Sequence, residues 1–333
     1  MSDSTKYIFS MGELKRQDNS LIFRTETQHT YIPIENTKEL FMMNEISINT
    51  KLLSFLSANG IIIHFFNYYG GYVGTFYPKE KYLSGKLKVL QVKKYLDNRE
   101  DIALSFVNGM RNNALEFISK RREVGSEEIK NIVTDLKYNI PRMYDNISGI
   151  KNILAVEGMV WNNIYKSLNC FIDPDFISNK RVKRPPDNPL NAMISYGNSL
   201  LYAKTISQIY QTHLDQTISF LHEPSQGRFS LALDISEVFK IAIVLPVIVN
   251  MINKKMIKID KHFHKDLNYC HLNEEGRKKF TLELEKKLDS TFEHKILKRK
   301  VSYLTAIKLD GYKLIKNILE DKEFNPFFLG EMI

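Results

Sequence analysis

One imidazole and two carboxylates stand close together in Phe220–Lys240, FLHEPSQGRFSLALDISEVFK. His222 closes an apolar run with helical spacing. A polar loop holding Pro224 and Gly227 follows, and the apolar run Phe229–Leu233 then leads into Asp234 and Glu237. Three residues apart, Asp234 and Glu237 project from one side of a helix. Folded back by the loop, the stretch offers an imidazole and two carboxylates, a donor set suited to Mg²⁺ or Mn²⁺. The same residues have a plain structural reading, with His222 capping or packing and both acids facing water.

A second acidic residue strengthens the metal reading. Glu157 lies inside ILAVEGMVW, apolar on both sides. A carboxylate buried without a partner is costly, so such a residue calls for a cation, a metal or a hydrogen-bond donor. Gly158 beside it has no side chain and lets a backbone or a ligand come close. Trp161 and Tyr165 follow Glu157 at helical spacing and read as core rather than as a base-stacking platform.

The elements that must position these groups fall into two sets. Residues 6–76 alternate short aromatic and β-branched runs with Gly, Asn and Asp, the pattern of strands. The candidates are 7–9, 21–23, 31–34, 40–43, 61–66 and 72–76, with one helix over 50–58. His64, between Ile63 and Phe65, reads as a packed histidine. The spacing then predicts helices over 89–96, 102–121, 126–138, 145–169, 191–221, 235–254, 274–293 and 295–319. The fold class is therefore α+β. A small, β-sandwich-like N-terminal domain (1–82) precedes a larger all-α domain (83–333). The segment DPDFISNKRVKRPPDNP, 173–189, holds too many prolines for a regular helix. Its Arg181, Lys183 and Arg184, together with Arg228, are candidate phosphate contacts; the alternative is a solvated charge run.

Composition narrows the function. The 333 residues carry a net charge of +9, which suits a polyanionic partner because each neutralised phosphate releases a counterion. Cys170 and Cys270 lie a hundred residues apart with no CxxC, so a disulfide framework is not indicated and a reducing cytoplasm fits. The N-terminus lacks the apolar core of a signal peptide. The apolar run 238–252 is broken by Lys240, Pro246 and Asn250 and reads as a buried helix, so no membrane role is expected. There is no GxxxxGK[ST], no GxSxG and no GxGxxG after a strand. His262, His264, Cys270 and His271 form a weak zinc candidate, because an adjacent Cys–His pair chelates one ion poorly.

Taken in order, several motifs resemble a known family, the CRISPR-associated spacer-acquisition integrases, the Cas-one proteins. They are HFFNYYGGY at 64–72, Glu157-Gly158, PPDNPLNA at 185–192, SYGNSLLY at 195–202, LHEP at 221–224, DISEVFK at 234–240 and LNEEGR at 272–277. HFFNYYG, LHEP and DISE resemble the type I-B versions most. The chain departs from the family at Asn162-Asn163, where a basic residue is common, and at Ile241, where proline is common. It departs again at 244–246, where an aspartate is common.

The resemblance implies a metal-dependent DNA integrase and endonuclease that inserts spacer DNA into the repeat array. In it Glu157, His222 and Glu237 hold Mg²⁺ or Mn²⁺, and Asp234 serves as a further ligand or as the acceptor that orients one. It also implies a homodimer joined through the β-domain, and a heterohexamer with a small companion, Cas-two. The alternatives are a non-catalytic DNA-binding scaffold and a helical adaptor with no DNA role.

Overall fold

The computed structural model describes residues 5–79, 82–121, 126–178, 180–183, 185–266 and 269–331. Arg184 lies outside the described residues.

The N-terminal strands are β1 (Thr5–Ile8), β2 (Gly12–Gln17), β3 (Ser20–Arg24), β4 (His29–Pro33), β5 (Glu39–Met42) and β6 (Ile46–Ser47). After α1 (Thr50–Ala58) come β7 (Ile62–Phe66) and β8 (Tyr72–Phe76). They build two four-stranded sheets, ordered β1-β5-β7-β8 and β4-β3-β2-β6. Leu40, Met42 and Ile63 of the first sheet share a core with Leu14, Leu21 and Phe23 of the second and with Leu52 and Leu56 of α1. The sandwich-like expectation is met. β2, GELKRQ, and the two-residue β6 are sandwich strands that hydrophobic runs missed; only Leu14 of the six residues of β2 is buried.

Successive strand residues face opposite sides of a sheet. Thr5, Tyr7, Glu39, Phe41 and His64 therefore point away from the sandwich. Phe41, Met43 and Phe66 join the large core of the helical region instead. The first sheet is thus buried on both faces, and one of its faces carries charge. Lys204, fully buried, donates to Glu39 at 2.7 Å and to Thr5 at 2.8 Å, and pairs with Glu285 at 2.9 Å. His64 is held at 2.8 Å by both Thr75 and Ser207, a packed histidine as expected.

The second region comprises α2 (Gly85–Ser119), α3 (Glu127–Thr134), α4 (Ile140–Arg142), α5 (Ile150–Phe171), α6 (Pro189–Tyr210), α7 (Ser230–Phe239), α8 (Leu245–Asn253), α9 (Ile259–His262), α10 (Glu274–Asp289) and α11 (Tyr303–Glu320). It is mostly helical but not all-α. Hairpins β9 (Phe263–Lys265) with β10 (Cys270–Leu272) and β11 (Thr291–His294) with β12 (Arg299–Ser302) interrupt it. The helices expected over 89–96 and 102–121 are both present within α2, meeting at a kink where Asn98 is non-helical. The helix expected over 191–221 stops at Tyr210, where Thr212 turns its hydroxyl onto the Ile209 carbonyl at 2.7 Å and ends the ladder.

The apolar span Ser230–Asn253 is long enough to cross a membrane, yet 89% of its most apolar window is buried inside the fold. It is a core helix. Its middle, Lys240–Val244, is a π-turn. Pro246 has no N–H for the Ala242 carbonyl, so the ladder loosens there.

Candidate active site

Three elements meet at the candidate site. α5 presents Glu157, Trp161 and Tyr165 at four-residue spacing, α7 presents Asp234 and Glu237, and the irregular segment after Tyr210 carries His222. The expectation that His222 ends a helix is corrected. Its backbone N–H, with those of Phe220 and Leu221, is taken up by the Asp234 carboxylate at 2.9, 2.7 and 2.9 Å. A side chain from α7 replaces the helical ladder.

Asp234 is fully buried, and its Oδ1 also accepts from His222 Nδ1 at 2.9 Å. A carboxylate only accepts, so Nδ1 carries the proton and the Nε2 lone pair is left for a ligand. The imidazole's pKa lies above its ordinary value. Burial pushes it down, and the hydrogen bond and charge of Asp234, then the charge of Glu237, outweigh that.

Arg99 of α2 braces the same segment from the other side. It donates to the carbonyls of Phe220 at 2.7 Å and His222 at 3.3 Å, and pairs with Glu223 at 2.8 Å. Sequence reasoning missed Arg99: its one local sign is Tyr95 a turn earlier, whose hydroxyl accepts from it at 3.0 Å.

Glu237 is almost wholly buried, 4% exposed. Lys240 donates to its Oε1, and the Trp161 indole N–H to its Oε2 at 3.2 Å. Burial alone would raise its pKa, but the charges of Lys240 and His222 hold it below the ordinary carboxylate value. Glu157 is half-buried and is pushed up to about 7, by burial first and then by the charge of Glu237; His222, Lys240 and Lys183 pull the other way. Glu157, His222 and Glu237 therefore sense one another's charge.

Among the described residues, no three His, Cys, Asp or Glu side chains are gathered closely enough to grip one ion as they stand. The Lys240 ammonium supplies the cation that Glu237 faces. The donor set still fits a hard divalent ion. Two carboxylates are present, and the third group is an imidazole whose Nε2 carries the lone pair when the ring is neutral.

The expected phosphate contacts separate. Lys183 is exposed, and its charge reaches both Glu157 and Glu237. Arg181 is largely engaged inside the protein, donating to Asn191 Oδ1 at 3.2 Å and Ser195 Oγ at 2.8 Å, so it braces the start of α6. Arg228 is half-buried and donates to the Glu223 carbonyl at 2.6 Å. In the weak zinc candidate, His264 and His271 pair across β9 and β10. His262 instead accepts from the Lys258 N–H at 2.8 Å.

Residues 6–286 match the family model described as CRISPR associated protein Cas1. The chain belongs to the Cas1 family. A CRISPR-associated endonuclease Cas1 of Thermodesulfovibrio yellowstonii is 42% identical over 329 residues, covering 97% of this chain and 98% of that one. The solved Cas1 of Thermotoga maritima superposes with a TM-score of 0.86 at 36% identity, over 96% of this chain and 98% of that one. A casposase bound to its integration product reaches 0.81 at 19% identity, over 98% of this chain and 93% of that one, a likeness of fold alone. Within the Cas1 family the mixed architecture seen here, β-sheets followed by a mostly helical region, is that of the Thermotoga protein.

Proposed function

We propose that this Cas1-family chain is a metal-dependent DNA endonuclease and integrase of CRISPR adaptation, with Glu157, His222 and Glu237 as the metal ligands. The enzyme class follows from family membership, since the full-length relative at 42% identity is named an endonuclease. The single observation that supports the ligand set is the buried Asp234 bonded to His222 Nδ1, which leaves Nε2 as the free donor of an imidazole whose charge is felt by both Glu157 and Glu237.

When bound to these three groups, Mg²⁺ or Mn²⁺ would polarise a phosphodiester oxygen and favour ionisation of the attacking hydroxyl. The chain's own groups prepare that chemistry. Asp234 fixes the imidazole tautomer, and Lys240 and Trp161 keep Glu237 ionised and aimed. Lys183 adds positive charge at the mouth, which suits phosphate. A DNA 3′-hydroxyl attacks and another 3′-hydroxyl departs, so one phosphodiester replaces another and no ATP is consumed. With water as nucleophile the same groups support cleavage.

The wider reading follows the family resemblance. We take 1–82 as the dimerisation domain and 83–333 as the catalytic domain, in a homodimer that joins a Cas-two dimer as a heterohexamer and works in the cytoplasm on spacer precursor and repeat DNA. HFFNYYG, LHEP and DISE support the type I-B assignment. Lys183, Arg184 and Arg228 are the proposed DNA contacts, and Arg181 contributes by holding the loop.

A strand-transfer assay with labelled duplex, supercoiled target and Mn²⁺ tests this reading. Joined product that disappears with EDTA is expected. DNA binding unaffected by EDTA, with neither joining nor cleavage under any divalent ion, would establish the scaffold reading instead.

Acid should inactivate the enzyme at an unusually high pH. His222 is raised above its ordinary value and so takes up its proton at a higher pH than a free imidazole, Glu157 does so as pH falls through about 7, and protons compete with the metal. Activity is expected to plateau above that range and to fall below it. Extra Mn²⁺ should move the midpoint to lower pH. A midpoint near 4, the ordinary carboxylate range, would refute the assignment.

Asp234→Asn places an amide where four donors now meet a carboxylate. It should weaken metal-dependent joining about 10–100-fold, the usual cost of losing a ligand's orienting partner. A Mn²⁺ titration of joining reads the loss, and an unchanged half-saturation point would deny Asp234 its orienting role.

A further inference from the structure

Folding divides the four residues of the weak zinc candidate between two faces of one hairpin. β9 and β10 pair antiparallel, with His264 directly opposite His271. Successive strand residues alternate in direction. Phe263, Cys270 and Leu272 take the inner face, and all three are buried. His264 and His271 share the outer face, so the thiol is withdrawn and two imidazoles remain. The Asp266 N–H donates to the Tyr269 carbonyl at 2.9 Å, which carries the pairing one step further. Asp266 and Tyr269 therefore continue the outer face.

The rings of His264 and His271 lie 5.3 Å apart between centroids and are inclined by 48°. Zinc–nitrogen bonds of about 2.0–2.1 Å and a tetrahedral angle set two imidazoles on one ion with centroids roughly 5 Å apart. His264 is exposed and reachable from solvent. Both ring nitrogens of His271 are shielded from solvent and meet no hydrogen-bond partner among the described residues. Buried polar atoms are nearly always paired, and the group facing this one across the strands is a second imidazole. Tyr69 at 5.1 Å, Tyr269 at 5.4 Å and Tyr68 at 6.3 Å wall the other sides of the His271 ring. Asp266, which engages the Tyr269 side chain, adds negative charge on the same face.

We propose that His264 and His271 form a second metal site, a two-histidine clip for a borderline divalent ion such as Zn²⁺, with solvent filling the remaining positions. Imidazole pairs suit Zn²⁺, Cu²⁺ and Ni²⁺, whereas Mg²⁺ and Mn²⁺ favour oxygen donors. This site and the one around Glu157 therefore select different ions. Its place in the fold gives the clip a role. His271 packs on the β7–β8 turn, where Arg277 of α10 donates to the Tyr68 carbonyl at 2.6 Å. An ion shared by the two strands ties the hairpin down at the seam between the sheets and the helices. It stabilises the chain because only the folded hairpin brings the two imidazoles together. The inference stands apart from the integrase reading.

Zn²⁺ is titrated by calorimetry into the full chain carrying Glu157→Ala and His222→Ala, which removes two of the proposed active-site ligands. One equivalent should bind. At a hundredfold excess over Kd, Zn²⁺ but not Mg²⁺ should raise Tm by about 5 °C. Adding His264→Ala should weaken Zn²⁺ binding by at least about tenfold, since losing only the orienting partner of a ligand already costs 10–100-fold. His264→Cys keeps a zinc donor and should retain binding, a rescue that packing alone does not produce. His264 is exposed, so both variants should fold. Absence of Zn²⁺ binding, or binding and Tm shift unchanged by His264→Ala, would overturn the site. Neither result bears on joining by the native chain in Mn²⁺, so the proposed function stands or falls separately.

Discussion

Glu157→Ala is expected to abolish metal-dependent joining and cleavage while DNA binding persists. The ligand set holds two carboxylates and one imidazole, and removing one carboxylate takes away charge that only another anion could replace. Metal polarisation supplies several kcal/mol of transition-state stabilisation, so the loss should exceed about a thousandfold in rate. Folding should tolerate the change. Glu157 is half-buried, makes no ion pair among the described residues, and burial already pushes its pKa up to about 7. Truncation therefore relieves a desolvated acid instead of orphaning a partner. The check is a pair of measurements on one preparation, joining rate in Mn²⁺ and duplex affinity in EDTA. A variant that joins DNA at the native rate would refute the assignment of Glu157.

Lys204→Met should be the most damaging single change to stability. Lys204 holds Glu39 and Glu285 together where the first sheet meets α6 and α10, and all three are buried. Tyr7 adds a hydrogen bond to Glu285 at 2.6 Å, and Ser207 one to Glu39 at 2.5 Å. Removing the ammonium leaves two buried carboxylates without their shared cation. Breaking such a set costs about 3–5 kcal/mol, on the order of 5–10 °C in Tm for a chain of this size.

The pH dependence has a definite sign. Burial would raise Glu39, but Lys204 first and then His64 hold it well below the usual carboxylate range. Its contribution in the native chain is therefore present above the ordinary carboxylate pKa and is lost as pH falls through and below it. Without Lys204, Glu39 takes up a proton more readily, so the deficit of the variant should shrink as pH is lowered. Thermal melts of both proteins at neutral and mildly acidic pH decide it. A deficit that stays constant with pH would show that packing, not charge, is what Lys204 contributes.

Local patterns were legible wherever one face of an element differs from the other. The strands of the sandwich and the buried helix through 238–252 carry apolar runs or alternation that local sequence encodes directly. The candidate ligands were legible because a carboxylate in an apolar helix and a histidine near two acids are chemically conspicuous. Elements whose reason lies elsewhere in the chain were not. The segment after Tyr210 keeps helical spacing yet leaves the helix, because Asp234, more than ten residues on, supplies the acceptor its amides need. The hairpin β11–β12 turns at Lys298, in the left-handed region with φ 51° and no glycine to announce it.

By itself the amino-acid sequence determined the α+β class, the family and the residue types able to bind a divalent ion, since composition, periodicity and motif order are properties of the chain alone. Tertiary structure decided how those residues are used. It made Asp234 the clamp of His222, brought Trp161 to Glu237, recruited Arg99 from a distant helix and turned Arg181 inward. Each outcome depends on which buried group finds a partner across sequence separations of about ten to more than a hundred residues. Local spacing cannot carry that information, because the cost of an unpaired polar group is settled only when the surrounding elements have packed.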